Sequence, residues 1–357
     1  MKAIKEDPIA EILKKIAPGT PIREGLDNIL KARTGALLLI TDKQEVIDEI
    51  VDGGFNINED YTSSKLYELA KMDGAIVLSG DMKKILFANA QLIPSYQIPT
   101  VETGTRHRTA ERTAKQTGEL VISISQRRNI ITVFKDNNRY ILEDTEVVLN
   151  KSNQAIQTLE KYRKVYDSKL SILNEYEFND IVTLDNVLTV IQRAEMVMKI
   201  VEEIQRNIFE LGEDGRLVNM QLEELIGGLE KEEMQVIKDY KVCENEAEEI
   251  MKELSKLEHE ELMRVATIAK LLGYESFENF EELAVYPKGY RILDKVPRMP
   301  NSIIEKLVKS FKSFQHILVA DIGELDKVEG IGEVRAKTIK HSLKKMQEQF
   351  AFDNILI

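Results

Sequence analysis

The hydrophobic pattern changes period partway along the chain, and that change limits the folds available to it. Up to about residue 135 the apolar residues come in short runs of about strand length: Ala36–Ile40, Ala75–Leu78, Ile85–Ala88, Leu120–Ile124 and Ile130–Phe134. Their β-branched content and length of about five residues suit buried strands better than helices. Helical stretches lie between them. Ser63 and Ser64 are positioned to cap a helix carrying Leu66, Leu69 and Ala70. A second helix is expected over Arg108–Gln116, with Gly118 as its C-terminal stop. Residues 1–145 therefore read as an α/β domain.

Beyond that point the strand signal fades. Ile156, Leu159, Tyr166, Leu170 and Leu173 recur at three- and four-residue steps, interrupted by Arg163. Amphipathic runs follow over Asn186–Phe209 and Arg216–Leu229, with glycines at 212, 215, 227 and 228. Residues 146–287 read as an all-α linker domain with an acidic outer face, for which a spacer or scaffold role is the plain reading. Residues 288–357 hold an internal repeat: Leu293-Asp294-Lys295-Val296 recurs as Leu325-Asp326-Lys327-Val328, offset by 32 positions. Each copy runs through a tight turn into a helix. The turn is Arg298-Met299-Pro300 in the first copy and Gly330-Ile331-Gly332 in the second.

Charge separates these segments further. The formal net charge is −12, which taken whole disfavours a polyanionic partner. Val201–Leu283 carries 23 acidic against 9 basic residues, whereas Lys288–Glu348 carries 13 basic against 8 acidic. The basic end is thus a candidate for a nucleic acid or another anion. The single cysteine, Cys243, excludes an internal disulfide and a Cys-based zinc site. No apolar run reaches the roughly 18 residues that span a bilayer, and the N-terminal residues lack a signal-peptide pattern. The expectation is a cytoplasmic protein without membrane attachment.

The densest chemical constellation runs from Glu102 to Arg112. Gly104 frees the backbone just before a helix start, where unpaired amides and the positive dipole end favour a phosphate. Thr105, Arg106, His107, Arg108 and Thr109 add hydroxyls and donors there, and arginine matches phosphate oxygens with a planar fork. Three basic residues at a helix N-terminus oppose the macrodipole, and an anion would relieve that conflict. The alternative is a charged surface turn. A second element, Asp73-Gly74-Ala75, stands directly before an apolar run; the carboxylate suits a divalent metal and the glycine a close ligand approach. By itself Asp-Gly is equally a common turn. Asp52-Gly53-Gly54-Phe55 reads as a turn, and no Gly-x-x-x-x-Gly-Lys-Ser/Thr phosphate loop occurs.

Together, Asp73-Gly74-Ala75 and Gly104-Thr105-Arg106-His107-Arg108-Thr109-Ala110-Glu111 resemble the paired motifs of the diadenylate cyclase family. The resemblance covers nearly the whole chain. It implies an α/β cyclase domain with a central mixed sheet flanked by helices, a helical linker and a helix-hairpin-helix domain. It implies condensation of two ATP into cyclic di-AMP and two pyrophosphates between facing domains, hence at least a dimer, with an octamer expected. Asp73 would be the catalytic and metal-binding residue, using Mg2+ or Mn2+. Gly74 and Leu92 would contact the nucleoside, and Thr105, Arg106, His107, Arg108, Thr109 and Ser125 the phosphates. Ser125 is equally a solvent-facing strand serine.

Val328–Lys337 resembles the hairpin of a helix-hairpin-helix motif. Gly330 and Gly332 would present amides to a DNA phosphate, with Ile331 as an apolar anchor. Arg335, Lys337, Lys340, Lys344 and Lys345 would add charge. Such contacts hold the backbone without reading bases. The first copy departs from the pattern, because Pro300 has no amide hydrogen, and is expected to be a structural partner with reduced DNA contact. A protein-interaction hairpin is the alternative reading. The resemblance further implies nucleoid association and control of the cyclase by branched or damaged DNA. The rival expectation is a binding module that senses a nucleotide without turnover.

Overall fold

The computed structural model describes residues 8–274 and 279–353. It forms two compact units. The first is Met1–Gln154 with Glu203–Met220, and the second is Ala155–Glu202 with Gln221–Ile357.

The first unit runs α1 (Pro8–Lys15), α2 (Pro21–Lys31), β1 (Ala36–Ile40), α3 (Gln44–Ile50), β2 (Val51–Asp52), β3 (Phe55–Asp60), α4 (Ser63–Leu69), β4 (Ala75–Leu78), β5 (Lys84–Leu92), α5 (Thr105–Thr117), β6 (Leu120–Ser125), β7 (Ile130–Lys135) and β8 (Asn138–Leu142). The strands make one mixed sheet in the order β2-β5-β4-β1-β6-β7-β8, with β3 also paired to β5. β1 and β4 are parallel and the other pairings antiparallel. Every residue of β1 and β4 is buried, and alternate residues serve opposite faces, as the pleat requires. Leu38, Ile40, Ile76 and Leu78 join Leu26, Ile29 and Leu66 on one face. Leu37, Leu39, Ala75 and Val77 join Val46, Ala110 and Ala114 on the other. The strands are apolar throughout because helices cover both sides.

Two local details differ from the sequence reading. Thr62 caps α4, its side chain accepting from the Lys65 amide, while Ser63 instead donates to Glu24 at 2.7 Å. Helix α5 starts at Thr105, so Arg106 and His107 lie in its first turn; it ends where Gly118 takes φ 68°.

The rest of the chain is almost wholly helical: α6 (Thr145–Asn179), α7 (Leu184–Leu211), a 3-10 turn (Gly212–Gly215), α8 (Arg216–Ile226), α9 (Leu229–Tyr240), α10 (Ala247–Lys256), α11 (His259–Leu262), α12 (Val265–Leu271), α13 (Tyr290–Asp294), α14 (Asn301–Phe311), α15 (Phe314–Val319), α16 (Ile322–Asp326) and α17 (Glu333–Asp353). The apolar positions read on α6 are all buried. Arg163 does not interrupt it; its guanidinium turns aside to Asp167 at 2.9 Å. Among the described residues no helix is long and apolar enough to cross a membrane.

The boundaries expected at 145 and 287 differ from this division. At the first, residues 203–220 belong with the sheet: Glu210 accepts the Tyr140 hydroxyl at 2.6 Å and the Glu143 amide at 2.9 Å. At the second, the Asp239 carboxylate accepts the amides of Gly289, Tyr290 and Arg291, which open α13. Arg291 is fully buried against Glu177 at 2.5 Å. The C-terminal helices therefore share one compact unit with the linker helices. Within them the repeat is a structural one. Leu293 and Val296 are buried like Leu325 and Val328, and the turns place Arg298 (φ 59°) where the second copy has Gly330 (φ 87°).

Candidate active site and nucleic-acid interface

With β4 parallel and β6 antiparallel to β1, the starts of β1 and β4 and the end of β6 share one edge of the sheet. Gly35, Asp73-Gly74 and Ser125 all stand there, and α5 begins beside them. The two sequence motifs, distant in the chain, thus meet: Arg106 Nη2 lies 3.7 Å from Asp73 Oδ1. Two glycines permit the approach. A Cβ on Gly35 would stand 2.4 Å from Arg106 Nη1. A Cβ on Gly74 would stand 2.3 Å from the Asn89 carbonyl carbon, where β5 bulges and Asn89 takes φ 53°. The Asn89 side chain accepts the Gly74 amide at 3.2 Å. Asp73 is fully exposed, so its contact with Arg106 is weak and readily exchanged for a ligand.

Gly104 is the N-cap of α5 and offers no side-chain cap to the first-turn amides. The open helix end faces a cleft of about 460 Å³ lined by residues 104–107 and 124–127. First-turn amides at a positive dipole end, Arg106 and the Thr105 hydroxyl are gathered there, beside Ser125, whose hydroxyl accepts the Arg128 amide at 3.2 Å. Thr105 and Arg108 are exposed and Thr109 half-exposed.

Two expected contacts need correction. The His107 side chain points into the sheet, 3% exposed, with Nδ1 3.1 Å from the Ser123 hydroxyl and Nε2 3.3 Å from that of Thr132. Both ring nitrogens are engaged there, and burial lowers its pKa. Its ring packs into the sheet, although the residue also lines the cleft. The Leu92 side chain is likewise buried, in the core between sheet and α5, leaving its backbone alone for a nucleoside.

The sequence reading missed the turn after β6. Arg127 lines the cleft, and Arg128 is held by the buried Glu102 carboxylate at 3.4 Å, which also takes Arg139 at 2.5 Å. Paired arginines following a strand are its only signal; their relevance shows once β6 lies beside α5. Among the described residues no cluster of three or more His, Cys, Asp or Glu could hold a metal. Asp73 offers a single hard oxygen ligand, of the kind that Mg2+ or Mn2+ prefers.

At the C-terminal end, Ile331 is buried in the helical core. A Cβ on Gly330 would stand 2.7 Å from Ile303 Cδ1, whereas one on Gly332 would meet nothing within 4 Å. The expected cations are mostly engaged within the fold. Arg335 donates to the Gly330 carbonyl, and Lys337 pairs with Glu333 at 2.6 Å. Lys340 is corrected: its ammonium donates to the carbonyls of Leu318 and Ala320, at 2.7 and 2.6 Å, and closes the end of α15.

Residues 23–139 match the family model described as DisA bacterial checkpoint controller nucleotide-binding, and residues 142–280 that described as DisA bacterial checkpoint controller linker region. The DNA integrity scanning protein DisA of Clostridioides difficile is 55% identical over 341 residues, covering 96% of each chain. That of Acetivibrio thermocellus is 53% identical over 351 residues, covering 98% of this chain and 97% of its own. Among solved structures, DacA from Staphylococcus aureus aligns with 40% of this chain and 93% of that chain, at 21% identity and a TM-score of 0.30.

Proposed function

This chain belongs to the DisA family, and from that membership we propose that it is a diadenylate cyclase joining two ATP into cyclic di-AMP. The observation that carries the reading is the meeting of Asp73 and Arg106 at an uncapped helix start beside an open cleft. In the reaction, the 3′-oxygen of each ATP bonds to the α-phosphorus of the other. The bond from that phosphorus to the bridging oxygen breaks, two pyrophosphates leave, and each 3′-hydroxyl loses a proton.

Chemistry of this kind depends on positioning and charge neutralisation. Thr105, Arg106, Arg108, Thr109, Ser125 and the first-turn amides of α5 would hold the triphosphate, with Gly74 and the Leu92 backbone against the nucleoside. Asp73 would hold Mg2+ or Mn2+, which lowers the pKa of the attacking hydroxyl and screens developing charge. One edge supplies half of this arrangement, so the working unit pairs two chains face to face; assembly into an octamer extends the same proposal.

We further propose that the second hairpin binds the DNA backbone, with affinity independent of sequence and weakened by salt. Branched or damaged DNA would regulate the cyclase, in the cytoplasm and at the nucleoid. The DNA integrity scanning name of the relatives and the basic C-terminal end support this.

The test is incubation with ATP and Mg2+ or Mn2+ and separation of the products. Cyclic di-AMP and pyrophosphate are expected from the natural chain. Asp73→Asn should form them about 10²–10⁴-fold more slowly while binding DNA normally. ATP bound without turnover would instead identify a nucleotide sensor.

A further inference from the structure

The first hairpin of the repeat differs from the second in its donors, not in its backbone. Both turns follow a short helix. In both, the amide of the buried valine bonds to the carbonyl three residues before it, Val296 to Leu293 at 3.0 Å and Val328 to Leu325 at 3.2 Å. Pro300 and Gly332 then occupy the same place, each carbonyl accepting the amide four residues on, from Ile304 and Ala336 at 3.2 and 3.0 Å. The two turns share one core, since Ile303 beyond the first lies against Gly330 of the second.

The turn position itself carries Arg298 in one copy and Gly330 in the other, both with positive φ. Left-handed backbone is costly for arginine and free for glycine. Arg298 is exposed, and among the described residues no hydrogen bond or ion pair engages its guanidinium. Around the second turn the cations that follow it are engaged. Arg335 and Lys337 are tied to neighbours in their own hairpin, and Lys340 is used on the end of α15. The second turn has a freely presented glycine amide, with Arg335, Lys337 and Lys340 engaged and Lys327 exposed before it. The first has no amide hydrogen at Pro300 and a free guanidinium two residues before it.

We propose that the first hairpin is a second contact to a nucleic-acid backbone phosphate, made by the Arg298 guanidinium in place of the amide that Pro300 lacks. A guanidinium is well suited to phosphate oxygens, and a contact to phosphate carries no sequence preference. The module then grips the backbone at two turns by different means. The second turn uses main-chain amides, which no side-chain substitution neutralises. The first uses one side-chain charge. This rests on the DNA reading above, and the test separates the two.

The experiment measures binding of the full chain to mixed-sequence duplex DNA across a salt series. Arg298→Asn removes the charge with a residue that tolerates left-handed backbone, so the fold is kept; unchanged thermal unfolding checks this. Loss of one phosphate contact should flatten the slope of log affinity against log salt by about 0.9, and Arg298→Lys should restore most of it. Gly332→Pro gives the second turn the residue that the first turn carries, and tests the amide contact. If Gly332→Pro weakens binding while Arg298→Asn leaves affinity and slope unchanged, the first hairpin is not a contact and the proposal is overturned, with the DNA reading intact. If neither substitution alters binding, the DNA reading itself fails at these hairpins.

Discussion

The guanidinium of Arg106 lies over Gly35, close enough that a Cβ there would come within 2.4 Å of Nη1. Glycine at the start of β1 therefore sets where the cation of another element stands relative to Asp73. Gly35→Ala should displace that flexible end with little effect on unfolding. Misplacing one charged hydrogen bond is expected to lower kcat/KM for ATP by about tenfold. Steady-state kinetics beside a melting curve checks both halves, and a large fall in Tm with normal kinetics would contradict the assignment.

His107 is expected to act through packing. His107→Ala empties a buried site and leaves the Ser123 and Thr132 hydroxyls without their ring partner, at about 2–4 kcal/mol. Because burial depresses its pKa, the unfolded chain takes up that proton more readily than the folded one. Its contribution is present above the ordinary histidine pKa and is lost as pH falls through about 6.5 and below. Urea unfolding of His107→Gln should show a weaker dependence on pH across this window than the natural chain.

Two linker carboxyls, Glu195 on α7 and Glu233 on α9, titrate in the opposite sense. Oε2 of Glu195 and both side-chain oxygens of Glu233 are buried without a hydrogen-bond donor. Burial pushes Glu195 up to about 7; burial and the neighbouring Glu195 hold Glu233 well above the carboxylate range. Lys199 and Glu202 act on the first and Glu230 on the second. The folded chain thus keeps protons that the unfolded chain loses, and stability falls as pH rises from about 4.5 through 7. Glu233→Gln should be the more stable protein at pH 8.5 and should lose part of the slope. Asp239, buried and also pushed up to about 7, leaves the remainder. Identical pH profiles in urea would refute the assignment.

Arg291 and Glu177 are a fully buried ion pair, with Glu177 also accepting the Tyr240 hydroxyl at 2.7 Å. Arg291→Met strands the carboxylate and should cost about 3–5 kcal/mol. Adding Glu177→Gln should recover part of that loss, and a double-mutant cycle by chemical unfolding measures the coupling.

The central strands were legible because β1, β4, β6 and β7 are continuous β-branched or leucine-rich runs covered on both faces. β3 and β8 were not. FNINED is largely polar, NRYIL opens on two polar residues, and most residues of both are exposed or half-buried; pairing partners define them, not side-chain pattern. The two motifs were visible in the sequence, but their meeting depends on the parallel pairing of β1 with β4. His107 was misplaced although the signal was present: positions 107, 110 and 114 fall on one helical face, and the latter two are alanines packed on the sheet. Lys340 was misplaced because the end of α15, which it closes, is distant in sequence.

The sheet unit is assembled from two stretches of chain separated by about fifty residues that belong to the other unit. Cutting after residue 145 would discard Glu210 and leave the Tyr140 hydroxyl and the Glu143 amide without their acceptor. It would also uncover the turn before α2, where the Pro18 carbonyl lies 2.6 Å from a Cβ position on Gly212. An excised catalytic fragment would thus be a wounded one, and the separable piece is the sheet together with the returning end of α7.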